Sequence, residues 1–485
     1  MKKGIFTDRS SANGGLKENG GGGAKSIWIS RRGGVGTGGR AGFLRRYGST
    51  MTVTDIDPSI SCTTFNILAP IYKRLDHEDQ SRRESHYKVY WLTRNQNILD
   101  RLLSELSSII CLQEVWVGNE EFVEMYEKRL GEAGYISFKL ARTNNRGDGL
   151  LTALHKDHFK LLNYRELLFN DFGDRVAQLL HVESVVPFWQ GRNNEVQQQV
   201  IIVNTHLLFP HNHSFSIIRL HQVYKILQYV EAYQKEQNLS QMPIILCGDW
   251  NGSKRGHVYK LLRSQEFVSS YDTAHHYTDS DADAHRWVSH RNHRGNICGV
   301  DFIWLLNPNK YRKPLKTSWN EAVFSIVENL LRKAALTEDN AFAFLKGDHP
   351  GDYVTFDNFC LALDELGVSG HPEGLSCEEM KDLWIEADLD GNGVLDFDEF
   401  QRIWNSTYME EQQQYSEDIM KDLSLEVPNS SQPKELTVEF VVKTAELFPP
   451  EAAQGTWPEN YSLSDHAPLT VVFSPRRLAS NQPVC

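Results

Sequence analysis

The sequence predicts an α/β or α+β sandwich interrupted by a helical module, and three observations lead there. From Ser61 onward, short apolar strand-like runs alternate with amphipathic helical stretches, the rhythm of stacked strand and helix layers rather than of a bundle or barrel. Compact polar motifs follow or end the apolar runs, where sites over a buried sheet are built. The rhythm stops at Tyr311. The segment from there to Leu436 is helical and acidic, and it ends in a polar stretch (EEQQQYSED, then VPNSSQPKE) before strand character resumes at Leu436–Val442.

Taken in order, Ser61–Leu68 reads as a strand carrying Asn66. Tyr87–Leu106 reads as a helix, with Trp91, Ile98, Leu102 and Leu106 near helical spacing. Ile109–Leu112 is a short buried strand delivering Glu114, and Glu120–Ala133 is a helix. Alternating strands run from Ile136 to about Val186. Val200–Asn204 leads to His206, Ser216–Gln234 is helical, and Ile244–Cys247 precedes Asp249. Val300–Leu305 and Leu469–Phe473 complete the strands, and there is no solenoid-type repeat. The expected organisation is a basic extension over 1–55, a first domain part over 56–310, the helical insert over 311–436, a last domain part over 437–475 and a tail over 476–485.

The bulk properties narrow the class. With 485 residues, 40% hydrophobic and 11% aromatic, the chain can bury a large core. No apolar run approaches the roughly 18 residues of a membrane helix, which predicts a soluble protein. The net charge of −12 is unevenly spread: residues 1–51 hold ten basic and two acidic side chains, 52–309 hold 27 and 30, and 310–485 hold 14 and 31. The acidity belongs to the C-terminal part, and the nearly balanced middle is compatible with nucleic acid without demanding it. Seven Cys without paired spacing or a CxxC motif suit buried thiols in a reducing compartment, Cys111 and Cys247 among them. Residues 1–50 are rich in Gly, Ser and Arg. They read as a disordered basic tail or as a chloroplast or mitochondrial transit peptide, so the expected location is cytoplasmic or nuclear, with an organelle as the alternative.

Within the insert, Asp388, Asp390, Asn392, Gly393, Asp396 and Glu399 fit the calcium-loop pattern D-x-[DN]-x-[DN]-G-x5-E without a gap. Asp388, Asp390 and Asn392 would supply side-chain oxygens, Val394 its carbonyl and Glu399 a bidentate carboxylate, while glycine at the sixth position permits the turn. Ser376 and Glu379 form a capping box for the entering helix. A related stretch, YVTFDNF at 353–359 against VLDFDEF at 394–400, places Gly347, Asp352 and Asn358 at positions one, six and twelve. It lacks the first carboxylate, the glycine and the bidentate ligand, so one functional calcium site of an EF-hand pair is expected.

Six motifs carry the chemistry: TFNIL at 64–68, QEV at 113–115, NTHL at 204–207, GDWN at 248–251, GVDFIW at 299–304 and SDHAPL at 464–469. Singly each has a bland reading, as a turn cap, a surface acid or a satisfied core histidine. Their joint order at strand ends is what points to metal-assisted phosphodiester cleavage. The ordered set resembles the endonuclease/exonuclease/phosphatase superfamily of magnesium-dependent phosphoesterases. TFNILAP and NTHL are most similar to its deadenylase and nocturnin-like branch, and with the insert the chain from about Ser61 to Phe473 resembles the plant EF-hand-containing members.

The resemblance implies a four-layer sandwich of two mixed sheets flanked by helices. It implies that Glu114, Asn66 and Asp465 hold Mg²⁺, that Asp249 orients or deprotonates the attacking water, and that Asn251 holds a phosphate oxygen. His206 and His466 would contact the scissile phosphate, with Asp301 fixing the His466 ring, a pairing that also follows from how a carboxylate sets an imidazole tautomer. Trp250 departs from the commoner phenylalanine. Arg286, Arg291 and Arg294, in the loop before Asp301, are candidates to clamp a substrate backbone, as Arg142 and Arg146 are more weakly. Three functions stay open: a 3′-exonuclease on RNA, a phosphoesterase on lipid or small molecules, and a silent calcium sensor, which the intact site residues argue against.

Overall fold

The apolar runs form the inner strands of two six-stranded sheets in the computed structural model, which describes residues 59–404 and 438–477 apart from 77–78, 80, 171–172, 186–197, 210–214, 255, 281–282, 284, 309–310 and 371–373. The expected basic extension, the linker at the end of the insert and the tail beyond 477 lie outside the described residues. The strands are β1 (Ile60–Asn66), β2 (Ile109–Val115), β3 (Tyr135–Ala141), β4 (Gly149–His155), β5 (Phe159–Leu168), β6 (Val176–Ser184) and β7 (Gln199–His206). They continue with β8 (Ile244–Asp249), β9 (Val268–Ser269), β10 (His290–Arg291), β11 (Ile297–Cys298), β12 (Asp301–Leu306), β13 (Val438–Leu447) and β14 (Leu469–Arg477).

One sheet has the order β13-β14-β1-β2-β4-β3 and the other β5-β6-β7-β8-β12-β9. Both are mixed, since β1 runs parallel to β2 and β7 parallel to β8 while their other neighbours are antiparallel. Strand alternation builds the layers. On β2, Ile109 and Cys111 point into the core between the sheets, and Ile110 and Leu112 point outward under helices α1 (Lys88–Glu105) and α2 (Glu120–Glu132), against Trp91, Leu102, Phe122 and Tyr126. Across the core, Cys62 Sγ of β1 meets Cys247 Sγ of β8 at 3.3 Å, and both thiols are fully buried. Helices α3 (Phe215–Glu236) and α4 (His257–Ser264) join the same core from the outer side of the second sheet, and the short α5 (Ser270–Ala274) packs on β12 and β13.

The rhythm break at Tyr311 precedes helix α6 (Leu315–Lys333), which packs on α3 and α4 as well as on the helices that follow. Its Trp319 stacks on Tyr224 of α3 with ring centroids 4.6 Å apart, so the helix extends the outer layer of the sandwich and serves the insert too. Beyond it come two helix–loop–helix units, α7 (Glu338–Lys346) with α8 (Phe356–Glu365), and α9 (Cys377–Ala387) with α10 (Phe397–Trp404). Their loops are joined by paired backbone hydrogen bonds between Val354 and Leu395, at 2.9 and 3.0 Å.

Two buried polar contacts tie elements that are distant in sequence. Arg94 of α1 ion-pairs with Glu84 and donates to the carbonyls of Ile67, Leu68 and Leu463, so one guanidinium holds the loop after β1 against the segment before Ser464. Glu379 of α9 completes the capping box with Ser376 and accepts from His221 Nε2 of α3 at 2.8 Å. Burial alone would push the Glu379 carboxyl up, but the hydrogen bonds from His221 and Ser376 outweigh it and hold it at about 2.

Two stability predictions follow from these contacts. Arg94→Met leaves the Glu84 carboxylate buried and unpaired, and chemical denaturation should show a loss of about 3–5 kcal/mol. Glu379→Gln should cost about 1–2 kcal/mol at pH 7. Because the folded carboxyl lies below its unfolded value of about 4.3, its stabilisation is complete above that pH and is lost as pH falls towards about 2. Melting curves of wild type and Glu379→Gln should therefore converge on acidification.

Candidate active site

Register sets the site. In β7, β8 and β12, His206 pairs with Asp249 and Asp301 with Asp249, so three polar side chains stand in a row at one end of the second sheet. Asp249 can occupy that place because Gly248 precedes it: a Cβ there would lie 2.0 Å from the Thr205 carbonyl oxygen, so no side chain fits between β7 and β8. Trp250 is buried beneath, donating from Nε1 to the Phe302 carbonyl (3.3 Å) and packing edge-on against Trp304, so the larger ring is absorbed by the core.

The facing sheet contributes Asn66 at the end of β1 and Glu114 near the end of β2. Ladder register shifts between Gln113 and Val115, and Glu114 sits in this bulge at φ 56°. Asn251 likewise has φ 45°. Asparagine tolerates such angles, but a glutamate rarely adopts them, and strain of that kind at Glu114, held by the surrounding structure, accompanies functional sites. The bulge turns the Glu114 carboxylate towards the second sheet, where Asn66 Nδ2 donates to Glu114 Oε1 (3.2 Å) and to Asp249 Oδ2 (3.0 Å). Asn66 Oδ1 is taken by the backbone N–H of Leu68 (3.1 Å). Asn66 thus bridges two carboxylates through its amide nitrogen, while its oxygen, which has a second lone pair, accepts from Leu68.

The remaining contacts form one network. His466 Nδ1 donates to Asp301 Oδ2 at 2.9 Å, and its Nε2 lies 3.7 Å from Asp249 Oδ2. Asn251 donates from Nδ2 to the Leu207 carbonyl (2.9 Å) and lies 3.0 Å from His206 Nε2, which is itself 3.2 Å from Asp249 Oδ2. Two histidines in one site are tuned in opposite directions. Burial would depress His466, but Asp301 and Asp249 raise it to about 10, so it is an imidazolium at neutral pH. Burial, reinforced by Arg175 and Arg142, pushes His206 well down and keeps it neutral. Burial and the charges of Asp465 and Asp148 push Glu114 up to about 7. For Asp465 burial is overcome by His290 and His466, which hold it at about 2.

Glu114 and Asp465 line one cleft of about 690 Å³ together with His290 and Ser464. Glu114 is pushed up by burial and neighbouring carboxylates, with further carboxylates at Asp249 and Asp301 behind it. An oxygen-rich donor set of this kind fits a hard divalent cation.

Several contributors had no motif to announce them. His290 stacks on His466 at 4.2 Å between ring centroids, and its Nε2 lies 3.8 Å from Asp465 Oδ2. The backbone explains this: Arg291 N–H donates to the Asp465 carbonyl and Ala467 N–H to that of Ser289, so the β10–β11 hairpin is laid along the SDHAPL motif. The expected three-arginine clamp is mostly elsewhere. Arg291 lines the cleft, but Arg286 is 3.5 Å from Asp283, and Arg294, in the hairpin turn, does not line the cleft. The cleft's other cations are Lys73, Arg74 and Arg83. Arg142 binds Asp148 and Asp174, and Arg146 binds Asp174, which accounts for both. Tyr72 donates to Asp148 at 2.7 Å, and burial with the Asp148 charge raises its phenol pKa.

In the second helix–loop–helix unit, one carboxylate oxygen each of Asp388, Asp390 and Glu399 lie within 4.8 Å of one another. Gly393 has φ 81°, its N–H donates to Asp388 Oδ2, and Asp388 Oδ1 has no hydrogen-bond partner among the described residues. Asn392 and Val394 complete the turn through a 2.9 Å bond from Val394 N–H to Asn392 Oδ1. The arrangement suits a cation taking several oxygens.

Residues 63–323 match the endonuclease/exonuclease/phosphatase family model. An uncharacterized calcium-binding protein of Arabidopsis thaliana is 61% identical over 435 residues, which is 90% of this chain and 88% of that protein. Protein angel of Drosophila melanogaster is 28% identical over 197 residues, covering 40% of this chain and 52% of the fly protein, so the match spans about half of that relative. Among solved structures, the human nocturnin catalytic domain with bound sulfate is similar at 21% identity and TM-score 0.38, over 52% of this chain and 84% of that one. With the family model matching more than half of its length, the chain belongs to the endonuclease/exonuclease/phosphatase family of phosphoester hydrolases.

Proposed function

We propose that the chain is a Mg²⁺-dependent phosphodiesterase acting on RNA from its 3′ end, with a calcium-binding EF-hand in its insert. The observation that carries this reading is the row His206–Asp249–Asp301–His466 facing Glu114 in the network of Asn66, with Asp465 and Glu114 opening onto one cleft. Glu114 and Asp465 would hold the cation, with Asn66 keeping Glu114 and Asp249 together. Mg²⁺ supplies charge neutralisation at the phosphoryl oxygens and a bound water of lowered pKa.

The chain's own groups do the rest. Asp249 receives hydrogen bonds from Asn66 and from the Asn251 backbone, so its carboxylate is held still to orient or deprotonate the attacking water. The His466 imidazolium, locked by Asp301, donates to a phosphoryl oxygen as charge develops there. Asn251 and neutral His206 add hydrogen bonds to the same group. The cleft also combines Lys73, Arg74, Arg83 and Arg291 with the rings of Tyr72, Phe209, Trp457 and Tyr461. Cations that follow a backbone beside rings on which bases stack favour single-stranded nucleic acid over a lipid headgroup.

The test is turnover of 5′-labelled RNA ending in an adenosine tract, with and without Mg²⁺. The expected result is stepwise shortening that Glu114→Ala abolishes and that Asp301→Asn slows by roughly 10⁴-fold, as an unlocked imidazole does elsewhere. Intact RNA from folded protein, with hydrolysis of a lipid or nucleotide phosphoester, would overturn the RNA assignment.

Calcium would act through contacts that reach the site. Glu379 on the helix entering the calcium loop holds His221 on α3, and the next residue, Gln222, accepts from the Leu208 N–H (2.9 Å), two residues from His206. The chain also returns from the insert through β13, which pairs with β14 just after His466. Ca²⁺ at about 100 times its dissociation constant should stabilise the protein by about 2.7 kcal/mol and change the turnover rate. Glu399→Gln should abolish both effects. No thermal shift would defeat calcium binding, and a shift with unchanged rates would defeat regulation.

A further inference from the structure

Arg175 immediately precedes β6 and is buried, with 7% of its surface exposed. Its carbonyl is bonded to Phe169 N–H. The β6–β7 register pairs Ala177 with Thr205, which carries Arg175 to the end of the sheet where His206 and Leu207 stand. Two of its guanidinium nitrogens, Nε and Nη1, have no hydrogen-bond partner among the described residues.

The acids around it are already engaged. Asp148 accepts from Arg142 (3.1 Å) and Tyr72 (2.7 Å), and Asp174 is held by Arg142 and Arg146. The charge of Arg175 is felt at Asp148, Glu114 and Asp249, and it helps to keep His206 neutral. Glu114 and Asp249 stand on β2 and β8, one in each sheet, and Asp148 directly precedes β4, so the guanidinium faces the centre of the site. A buried charge is retained when something pairs with it. At a site that otherwise presents carboxylates, the missing partner is an anion that arrives with the substrate.

We propose that Arg175 is a substrate-binding residue that hydrogen-bonds a non-bridging oxygen of the scissile phosphate and offsets the charge developing on it. The assignment rests on the phosphoester-hydrolase reading of this site and adds a second fixed cation to His466. It also explains why the fold tolerates an arginine with unused donors in its interior: pairing is deferred to the bound state, at some expense to the stability of the free protein.

That last point gives a test that a structural arginine would fail. Arg175→Met replaces the side chain with an apolar one of similar length. The readouts are the melting temperature and the affinity for inorganic phosphate in Mg²⁺ buffer, neither of which requires turnover. Expected are a melting temperature equal to or above wild type and phosphate binding weaker on the order of tenfold to a hundredfold. Arg175→Lys, which keeps the charge but loses donors, should fall between the two. A lowered melting temperature for Arg175→Met would mark a structural arginine and overturn the proposal, as would phosphate affinity equal to wild type. Hydrolysis of bis(p-nitrophenyl) phosphate by the wild type is measured alongside. Its absence would sink the phosphoester-hydrolase reading, whereas its presence with unchanged phosphate binding in Arg175→Met would sink the role of Arg175 alone.

Discussion

Crowding of like charge is the constraint on which the site depends. Glu114, Asp249, Asp301 and Asp465 converge on one end of the sandwich, and three of them come from strands that are otherwise apolar. Buried carboxylates repel one another and lose hydration, and the rise of Glu114 to about 7 is the measure of it. The fold answers with a few fixed donors. Asn66 spans Glu114 and Asp249, His466 is held between Asp301 and Asp249, and His290 lies over His466 beside Asp465. What is left uncompensated is the part a divalent cation and a phosphate can complete.

Holding that arrangement requires local distortion and remote bracing. Glu114 in a bulge at φ 56° and Asn251 at φ 45° place side chains where regular strands and turns would not. Such geometry persists only where neighbours over-determine it. On the Glu114 side, Ala69 N–H donates to Glu114 Oε2, and Arg94 clamps the carbonyls of Ile67 and Leu68. The same guanidinium reaches the Leu463 carbonyl, so the first and last motifs, some 400 residues apart in sequence, share one brace. Ser464 Oγ, donating to the Asn66 carbonyl at 2.7 Å, is a second link between them.

The sandwich was legible because its determinants are local. Ile109, Ile110, Cys111 and Leu112 form the continuous apolar run that a strand buried on both faces shows, and GDWN needs its glycine for a backbone approach that no side chain permits. What escaped the sequence depends on register and long-range pairing. His290 is one of several histidines in its loop, and only the backbone bonds of Ser289 and Arg291 to the SDHAPL segment select it. Arg175 sits in no motif, and its meaning lies in which partners it lacks. Asn66 was expected as an oxygen ligand, and its amide nitrogen also donates to Glu114 and Asp249. Its role as donor follows from a turn whose hydrogen bonds a linear pattern does not show. The expected boundary at 311 falls just before α6, a helix whose apolar residues serve both the sandwich and the insert and so carry no mark of which one it belongs to.

Two acidic clusters among the described residues differ in how the fold holds them, and under the proposed function the difference bears on control. Glu114, Asp249 and Asp301 lie on strands of the sandwich, so the packing of the sheets sets their spacing. Asp388 and Asp390 lie in the loop between α9 and α10 and Glu399 in the first turn of α10, where Glu399 Oε1 accepts from the Leu389 N–H and Asp388 Oδ2 from the Gly393 N–H. Because Glu379 holds His221 on a sandwich helix, ordering of the insert and packing of α3 are parts of one equilibrium. If calcium acts on turnover through that contact, as proposed, reciprocity requires that a ligand at the catalytic end change calcium affinity by the same factor. A substrate analogue bound near His206 would then shift the calcium response of a loop that it never touches.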